Sequence, residues 1–253
     1  MYGVSNCFFY DAEHLAAALN YTVLHYDGDC AVKSKVIDLT PMPPRLVRKP
    51  PDTYHHGDLR DALVQAALHD AEQGGPEAIS LKALAKKLGV SQPAPYRHFA
   101  DREALLEAVT AAAFRQFNAI LREAIGAPAK PSKLSRFAHA MLTFGLRRNG
   151  IYRLIFASRT MACAQKGSEL HNAAMEAFAL LLEALEAPAI GLLRERQALK
   201  IWASLHGVVM LAEQGLFTGQ LAQTSREELV EDIVRESKLA LSVAIKDAEA
   251  SRM

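Results

Sequence analysis

Ser80-Leu81-Lys82-Ala83-Leu84-Ala85-Lys86-Lys87-Leu88-Gly89-Val90-Ser91-Gln92-Pro93-Ala94-Pro95-Tyr96-Arg97-His98-Phe99 is the stretch on which the fold turns. Leu81, Leu84, Ala85 and Leu88 recur at i, i+3, i+4 and i+7, the apolar face of a helix that Ser80 is placed to cap. Gly89 supplies the left-handed residue that ends it. Ser91 is placed to cap a further helix from Gln92 to about Phe99. Only Val90 and Ser91 lie between Gly89 and that helix, so the two must cross steeply, and the small Ala85 keeps the crossing thin. Helix, glycine turn, helix is the helix-turn-helix pattern.

Working outward, a preceding helix is expected to be capped by Asp58, with Asp61 at capping-box spacing. Leu59, Leu63, Ala66 and Ala67 form its inner stripe, and Gly74-Gly75-Pro76 ends it. Between Ala78 and Arg102 the charges are Lys82, Lys86, Lys87, Arg97 and Arg102 against Asp101 alone. Such a local basic face suits a line of phosphates, although lysines on a solvated helix are common. Gln92, Tyr96, Arg97 and His98 offer side chains able to hydrogen-bond base edges or phosphates. Pro93 removes an N–H with no intrahelical partner, whereas Pro95 removes one that would make the first ladder bond. A stiff, side-chain-poor start would let this segment approach a groove floor closely.

After Asp101, expected to cap a long helix through about Ile125, the pattern stays helical: 133–148, 152–157, 169–186, 194–217 and 226–248. Gly126–Pro131, Asn149-Gly150, Ala187-Pro188 and Thr218-Gly219 punctuate it. The expected fold is all-α, a three-helix N-terminal helix-turn-helix domain followed by a C-terminal helical ligand-binding and dimerisation domain. The expected divisions are 1–53 (a poorly ordered extension), 54–101, 102–248 and a tail, 249–253. The proline-rich run 41–51 favours extended chain, and Met42 within it offers an alternative start, so residues 1–41 are either a native tail or upstream codons, the second reading being favoured. Arg45, Arg48 and Lys49 form either a DNA-contacting arm or a solubilising tail.

Of 253 residues, 50% are hydrophobic and 23% charged, with a net charge of +1, ordinary values for a globular chain. No apolar run is long enough for a membrane span. Cys7, Cys30 and Cys163 are too scattered for a disulfide framework or a zinc site, which fits a reducing, cytoplasmic setting.

The segment Leu84 to Leu106, with Tyr96-Arg97-His98-Phe99 and the following Asp101-Arg102-Glu103-Ala104-Leu105-Leu106, resembles the DNA-binding domain of the tetracycline-repressor (TetR/AcrR) family; the likeness runs from about His56 to Val109. Trp202-x-x-x-His206-Gly207, with Tyr152-Arg153-Leu154-Ile155-Phe156 upstream, is similar to the C-terminal domain of the family branch named for its Trp-His-Gly (WHG) motif. The resemblance implies a homodimer bound to a palindromic double-stranded operator, usually as a repressor. It also implies that Gln92 and Ala94 face bases, that Tyr96 and His98 reach phosphates, and that Ser80, Lys82 and Arg102 contact the DNA backbone. This chain departs from the pattern at Ala94, which can offer thymine only a methyl contact, and at Pro95, where an apolar residue such as leucine is common.

In the C-terminal part, the 194–217 segment is apolar nearly all round: Ala198, Ile201, Trp202, Leu205, Val208, Val209 and Ala212 on one side, Leu199, Ala203, Gly207 and Met210 on the other. Burial on both faces is expected, one face against a second subunit together with the last helix. Phe114, Phe117, Met141, Phe144, Tyr152, Phe156, Met161, Met175, Phe178, Trp202 and His206 are candidates for an effector pocket for a hydrophobic small molecule, or for plain core. Gly207 is expected to allow close helix approach. Glu169, Glu176, Glu183 and Glu186 are read as a solvated face that repels DNA. No nucleotide, hydrolase or metalloprotease motif is present, and His139, His171 and His206 fall on three different segments, so neither an enzyme nor a cofactor is expected. A helical interaction module that had lost DNA binding would replace Lys82, Gln92 and Tyr96, and all three are present.

Overall fold

The structure is a computed structural model that describes residues 56–128, 130–156, 160, 164–187, 192–218 and 221–250. Expectations for residues 1–53, Met161, the three cysteines and the tail 251–253 lie outside the described residues. Among those described are eight α-helices and no strand: α1 (His56–Gly74), α2 (Leu81–Leu88), α3 (Arg102–Gly126), α4 (Lys133–Arg147), α5 (Asn149–Phe156), α6 (Glu169–Ala184), α7 (Leu193–Glu213) and α8 (Arg226–Ala250).

Local chemistry explains most boundaries. Gly89 adopts φ 70°, ψ 26°, while Val90 N–H reaches the Ala85 carbonyl and Gly89 N–H reaches Lys86, the paired bonds of a Schellman ending. Asp101 Oδ1 accepts from Ala104 N–H at 2.8 Å and starts α3. At the other end of α3, the buried Arg136 donates to the carbonyls of Ala124 and Ile125, satisfying groups that the helix leaves open.

Four expectations need correction. Asp58 lies within α1 rather than ahead of it. Ser80 occupies the N-cap position of α2, but its side chain makes no cap hydrogen bond. Asn149-Gly150 does not separate helices; α5 starts there. The helix expected over 92–99 is instead a tight turn with one 3-10 stretch, Pro95–Arg97. Its bonds run from Ala94 N–H to Ser91, Arg97 to Ala94 and His98 to Pro95, each i to i−3. Pro93 and Pro95 bring no N–H, so only Phe99 N–H, bonded to the Pro95 carbonyl, makes an α-type bond here.

One continuous apolar core runs from the N-terminal head (α1, α2 and the 3-10 turn) into the C-terminal body. In the head, Leu63, Leu84, Ala85 and Phe99 are buried, and Arg60 lies over the Phe99 ring at 5.3 Å. In the body, α3 packs most extensively on α6, and α8 closes over α4 and α7. Helices α3 and α6 run parallel, since Arg115 pairs with Glu169 and Arg122, one heptad on, pairs with Glu176. Buried Asn118 fixes this register by donating to the Ala173 carbonyl at 2.8 Å and to Glu176 Oε2 at 2.9 Å. Lys133 approaches Glu183 and Glu186. The acids read as a solvated face keep side chains 41–58% exposed and also take these cations as partners.

Candidate nucleic-acid interface and effector site

The head presents most of its polar side chains on one surface. Ser80, Lys82, Lys86, Gln92, Pro93, Tyr96 and Arg97 are exposed, and Tyr96 is 54% accessible, unusual for so large an aromatic. Ser80, Lys82, Ala83, Lys86, Val90 and Gln92 line an open concavity of about 500 Å³ between α2 and the turn that follows it. Ala94 and His98 are half-buried. Three of the six lining residues, Lys82, Ala83 and Lys86, are set by α2, whose opposite face (Leu81, Leu84, Ala85) is buried. The structure thus brings Ser80, Lys82 and Gln92 together around one concavity.

Two cations of the basic segment are committed inside the molecule. Lys87 pairs with Asp70 of α1 at 2.5 Å. Arg102 donates to the carbonyls of Ile79 (3.0 Å) and Pro76 (2.6 Å), bracing the chain before α2 against the start of α3. Lys82, Lys86 and Arg97 have no acidic partner among the described residues. The sequence gives no hint of this division, because pairing across helices is a tertiary property.

In the body, the candidate pocket residues converge in two groups. Phe178 and Trp202 meet edge-to-face at 5.8 Å, and the Phe117 and Phe144 rings are tilted by 55° at 5.6 Å. These four, with Phe114 and Met141, are buried; Met175 is half-buried. The Trp202 indole N–H is buried without a hydrogen-bond partner. The second group joins α5 to α7. The Tyr152 and His206 rings stack at 5.5 Å with 9° between planes, and the Tyr152 hydroxyl is hydrogen-bonded to His206 Nδ1. Phe156 packs edge-on to both, at 4.7 Å and 5.9 Å, and also meets Phe114 at 6.0 Å. Desolvation pushes the His206 imidazole below its ordinary pKa, so it is neutral at pH 7. If the phenol donates this hydrogen bond to Nδ1, the neutral imidazole carries its own proton on Nε2.

The other histidines are used separately. His139 Nε2 lies 2.7 Å from Glu231 Oε1, tying α4 to α8, and this hydrogen bond lowers the Glu231 carboxyl pKa against the opposing effect of burial. His171 sits in the first turn of α6, where its N–H donates to Ser168 Oγ. Among the described residues no group of three or more His, Cys, Asp or Glu side chains is placed to hold a metal ion, and no helix is long and apolar enough to cross a membrane.

Helix α7 buries one face, including Ala198, Ile201, Trp202, Leu205, Val208 and Val209. Its other side leaves Ala203, Ser204 and Leu211 exposed, so within one chain it is not buried all round. A Cβ on Gly207 would meet nothing within 4 Å, so no described helix of this chain packs closely on it. Tight glycines occur elsewhere, at Gly145 and Gly150. On α8, Leu239 and Val243 are exposed as well.

Residues 63–109 match the family described as bacterial regulatory proteins, tetR family, and residues 134–236 match the tetracyclin repressor-like C-terminal domain. The chain carries the N-terminal and C-terminal domains of the TetR family. The tetracycline repressor protein class C of Escherichia coli is 42% identical over 53 residues, 21% of this chain. The chain spans about a quarter of the length (24%) of that relative. A Rhodococcus sp. RHA1 protein of unknown function superposes with TM-score 0.60 and 27% identity, covering 75% of this chain and 98% of that one. A tetR-family transcriptional regulator from Streptomyces coelicolor gives TM-score 0.55 at 19% identity over 77% of this chain and 86% of its own. This second likeness speaks to the fold alone. The TetR-family architecture, a helix-turn-helix head on a helical body, is thus common to this chain and its structural neighbours.

Proposed function

We propose that this TetR-family chain is a ligand-responsive transcriptional regulator that binds a palindromic operator as a homodimer and represses until a hydrophobic small molecule releases it. One observation carries the reading: among the described residues Lys82, Lys86 and Arg97 have no acidic partner and lie near the exposed Gln92 and Tyr96, whereas Arg115 and Arg122 of α3 are held in ion pairs. A patch of unspent cations with hydrogen-bonding side chains suits a duplex. In this reading Gln92 reads a base edge and Ala94 offers a methyl contact. Pro93 and the tight turn keep the approach close, Ser80, Lys82, Tyr96, Arg97 and His98 hold phosphates, and Arg102 acts as an internal brace near the backbone. The work is done where the duplex is, in the cytoplasm.

Helices α7 and α8 supply the dimer surface in this reading. Gly207, Ala203 and Ser204 would let a symmetry-related helix come close, and Leu239 and Val243 would bury against it. The effector site draws on Phe114, Phe156, Met175, Phe178 and Trp202, with Tyr152 and His206 as its polar corner. The described polar corner contains no cation, so an uncharged molecule with a hydrogen-bond acceptor for His206 Nε2–H fits best. The Trp202–His206–Gly207 sequence aligns this site with the WHG branch. An effector shifts the equilibrium only by its difference in affinity for the two conformations.

The test is a titration with the duplex upstream of the protein's own coding region. Binding weakens as salt rises, Gln92→Ala relaxes sequence preference, and Lys82→Ala weakens all sequences alike. Equal effects of both changes on every sequence, or a monomer indifferent to duplex at low salt, would overturn the reading.

A further inference from the structure

We propose that the corner between α4 and α5, formed by Arg148, Gly150 and Arg153, sets the angle of the DNA-reading head on the body and ties it to the Tyr152–His206 pair. The inference rests on the DNA-binding reading above and adds the residues that position the head.

Gly150 is the tightest point. A Cβ there would lie 2.1 Å from the Ala71 carbonyl oxygen and 2.6 Å from that of Glu72. Both obstacles are backbone, so no rotamer relieves them. Only glycine lets the first turn of α5 rest on the last turns of α1. Two arginines flank this contact. Arg148 Nε donates to Glu72 Oε1 at 2.5 Å and its Nη1 to Gln116 Oε1 at 2.9 Å, joining α1 to α3 from the end of α4. The Arg148 and Glu72 side chains are only 15% and 23% exposed, so solvent screens the pair weakly. Arg153 Nη2 donates to the Gly74 carbonyl at 3.0 Å, a cation on the open end of α1. Gly75 leaves room for it, since a Cβ there would lie 2.3 Å from Arg153 Nη2.

What α5 does to α1 passes to the reading turn. Asp70 of α1 holds Lys87 of α2, and Arg60 of α1 covers Phe99 at the end of the turn. The opposite end of the connection is equally close. Tyr152 stands two residues after Gly150 on a helix of 8 residues, stacked on His206 of α7. A Cβ on Gly145 would lie 2.8 Å from both the Tyr152 ring and Val209, so Tyr152 is wedged between α4 and α7 without slack. A change at His206 therefore has one short, stiff helix through which to reach α1.

Coupling of two sites is reciprocal, so DNA binding at the head must disturb His206. The experiment follows the His206 imidazole by NMR in ¹⁵N-histidine-labelled full-length dimer, assigned with His206→Asn, as the upstream duplex is added. The wild-type signal shifts on binding. In the Glu72→Gln/Arg153→Ala double variant the duplex still binds but the His206 signal no longer responds. Gly150→Ala stays dimeric, loses about tenfold in affinity and prefers altered half-site spacing, a change that simple destabilisation does not produce. Gly126→Ala, whose Cβ meets nothing within 4 Å, behaves as wild type. If Gly150→Ala does not fold, the double variant decides. A His206 response that survives the double variant, or a folded Gly150→Ala dimer with native affinity and spacing preference, overturns this proposal alone. A wild-type dimer that binds no duplex overturns the DNA-binding reading and this one with it.

Discussion

The head and the body are built from the same residue types put to opposite uses. In the body, Arg115, Arg122 and Lys133 meet glutamates of α6, and Phe114, Phe117, Phe144, Phe178 and Trp202 are buried. In the head, Lys82, Lys86 and Arg97 meet no acid among the described residues, and Tyr96 faces solvent. A net charge of +1 conceals this division. Charges satisfied inside a molecule do little outside it, so the unsatisfied ones mark the surface built for a partner. The sharpest test exchanges an aromatic for alanine in each region. Trp202→Ala removes a fully buried ring and costs about 3–5 kcal/mol in a denaturant melt. Tyr96→Ala changes stability by no more than about 0.5 kcal/mol, yet weakens operator binding. Equal stability losses would erase the distinction between the regions.

The second contrast concerns hydrogen bonds. Asn118 is buried between two parallel helices and spends both N–H donors of its amide there, whereas Gln92 is exposed. Asn118→Ala leaves α6 groups unpaired and costs about 1–3 kcal/mol of stability. Gln92→Ala leaves the melt unchanged and costs about 1–3 kcal/mol only in discrimination at one base pair. A loss of operator preference in Asn118→Ala at full dimer occupancy would show that register in the body also governs reading.

These contrasts explain what could be read from the chain before its structure. The α2 stripe, Gly89, the Asp101 cap and the long α3 follow from short-range rules, so sequence spacing was enough for them. The 3-10 turn at Pro95–Arg97 departs from the expected helix, although both prolines were in view; surrounding helix pattern outweighed the two missing N–H groups. The pairing of Glu169 and Glu176 is not legible locally, because their partners Arg115 and Arg122 lie more than fifty residues away. The shared seven-residue spacing of the two pairs was the available clue. Glycines mislead for a related reason. The motif drew attention to Gly207, which is open within the chain, while the crowding at Gly145 and Gly150 depends on which backbone passes nearby. For the candidate interface, residue types were legible but not which cations were already engaged; nothing local distinguishes Lys87 from Lys86.

The charge contrast can be measured directly with smaller effects. Arg122→Gln breaks an exposed pair with Glu176 and changes stability by less than about 1 kcal/mol, leaving the salt dependence of operator binding as it was. Lys86→Gln leaves stability alike but lowers the magnitude of the log–log salt slope by about 1. Identical slopes for both variants would mean that the head's unpaired lysines do not meet phosphates.

The smallest expected effect concerns pH and again separates two places in the body. Desolvation lowers the His206 pKa from 6.5 in the folded chain, so the unfolded chain binds the proton more readily. Stability from this site is therefore full above pH 6.5 and falls as pH drops through the lower folded value. The Glu231 carboxyl is also lowered, from 4.5, first by the hydrogen bond from His139, so its contribution persists above 4.5 and is lost only as pH falls through its own folded value. Two windows result, the upper belonging to α5–α7 and the lower to α4–α8. His206→Asn, which still accepts a hydrogen bond from Tyr152 but does not titrate, should flatten the upper window alone in melts between pH 7 and 5. Glu231→Gln should flatten only the lower one. An unchanged upper window in His206→Asn would place that imidazole in solvent in the working dimer, and its stacking on Tyr152 could not then report on an effector.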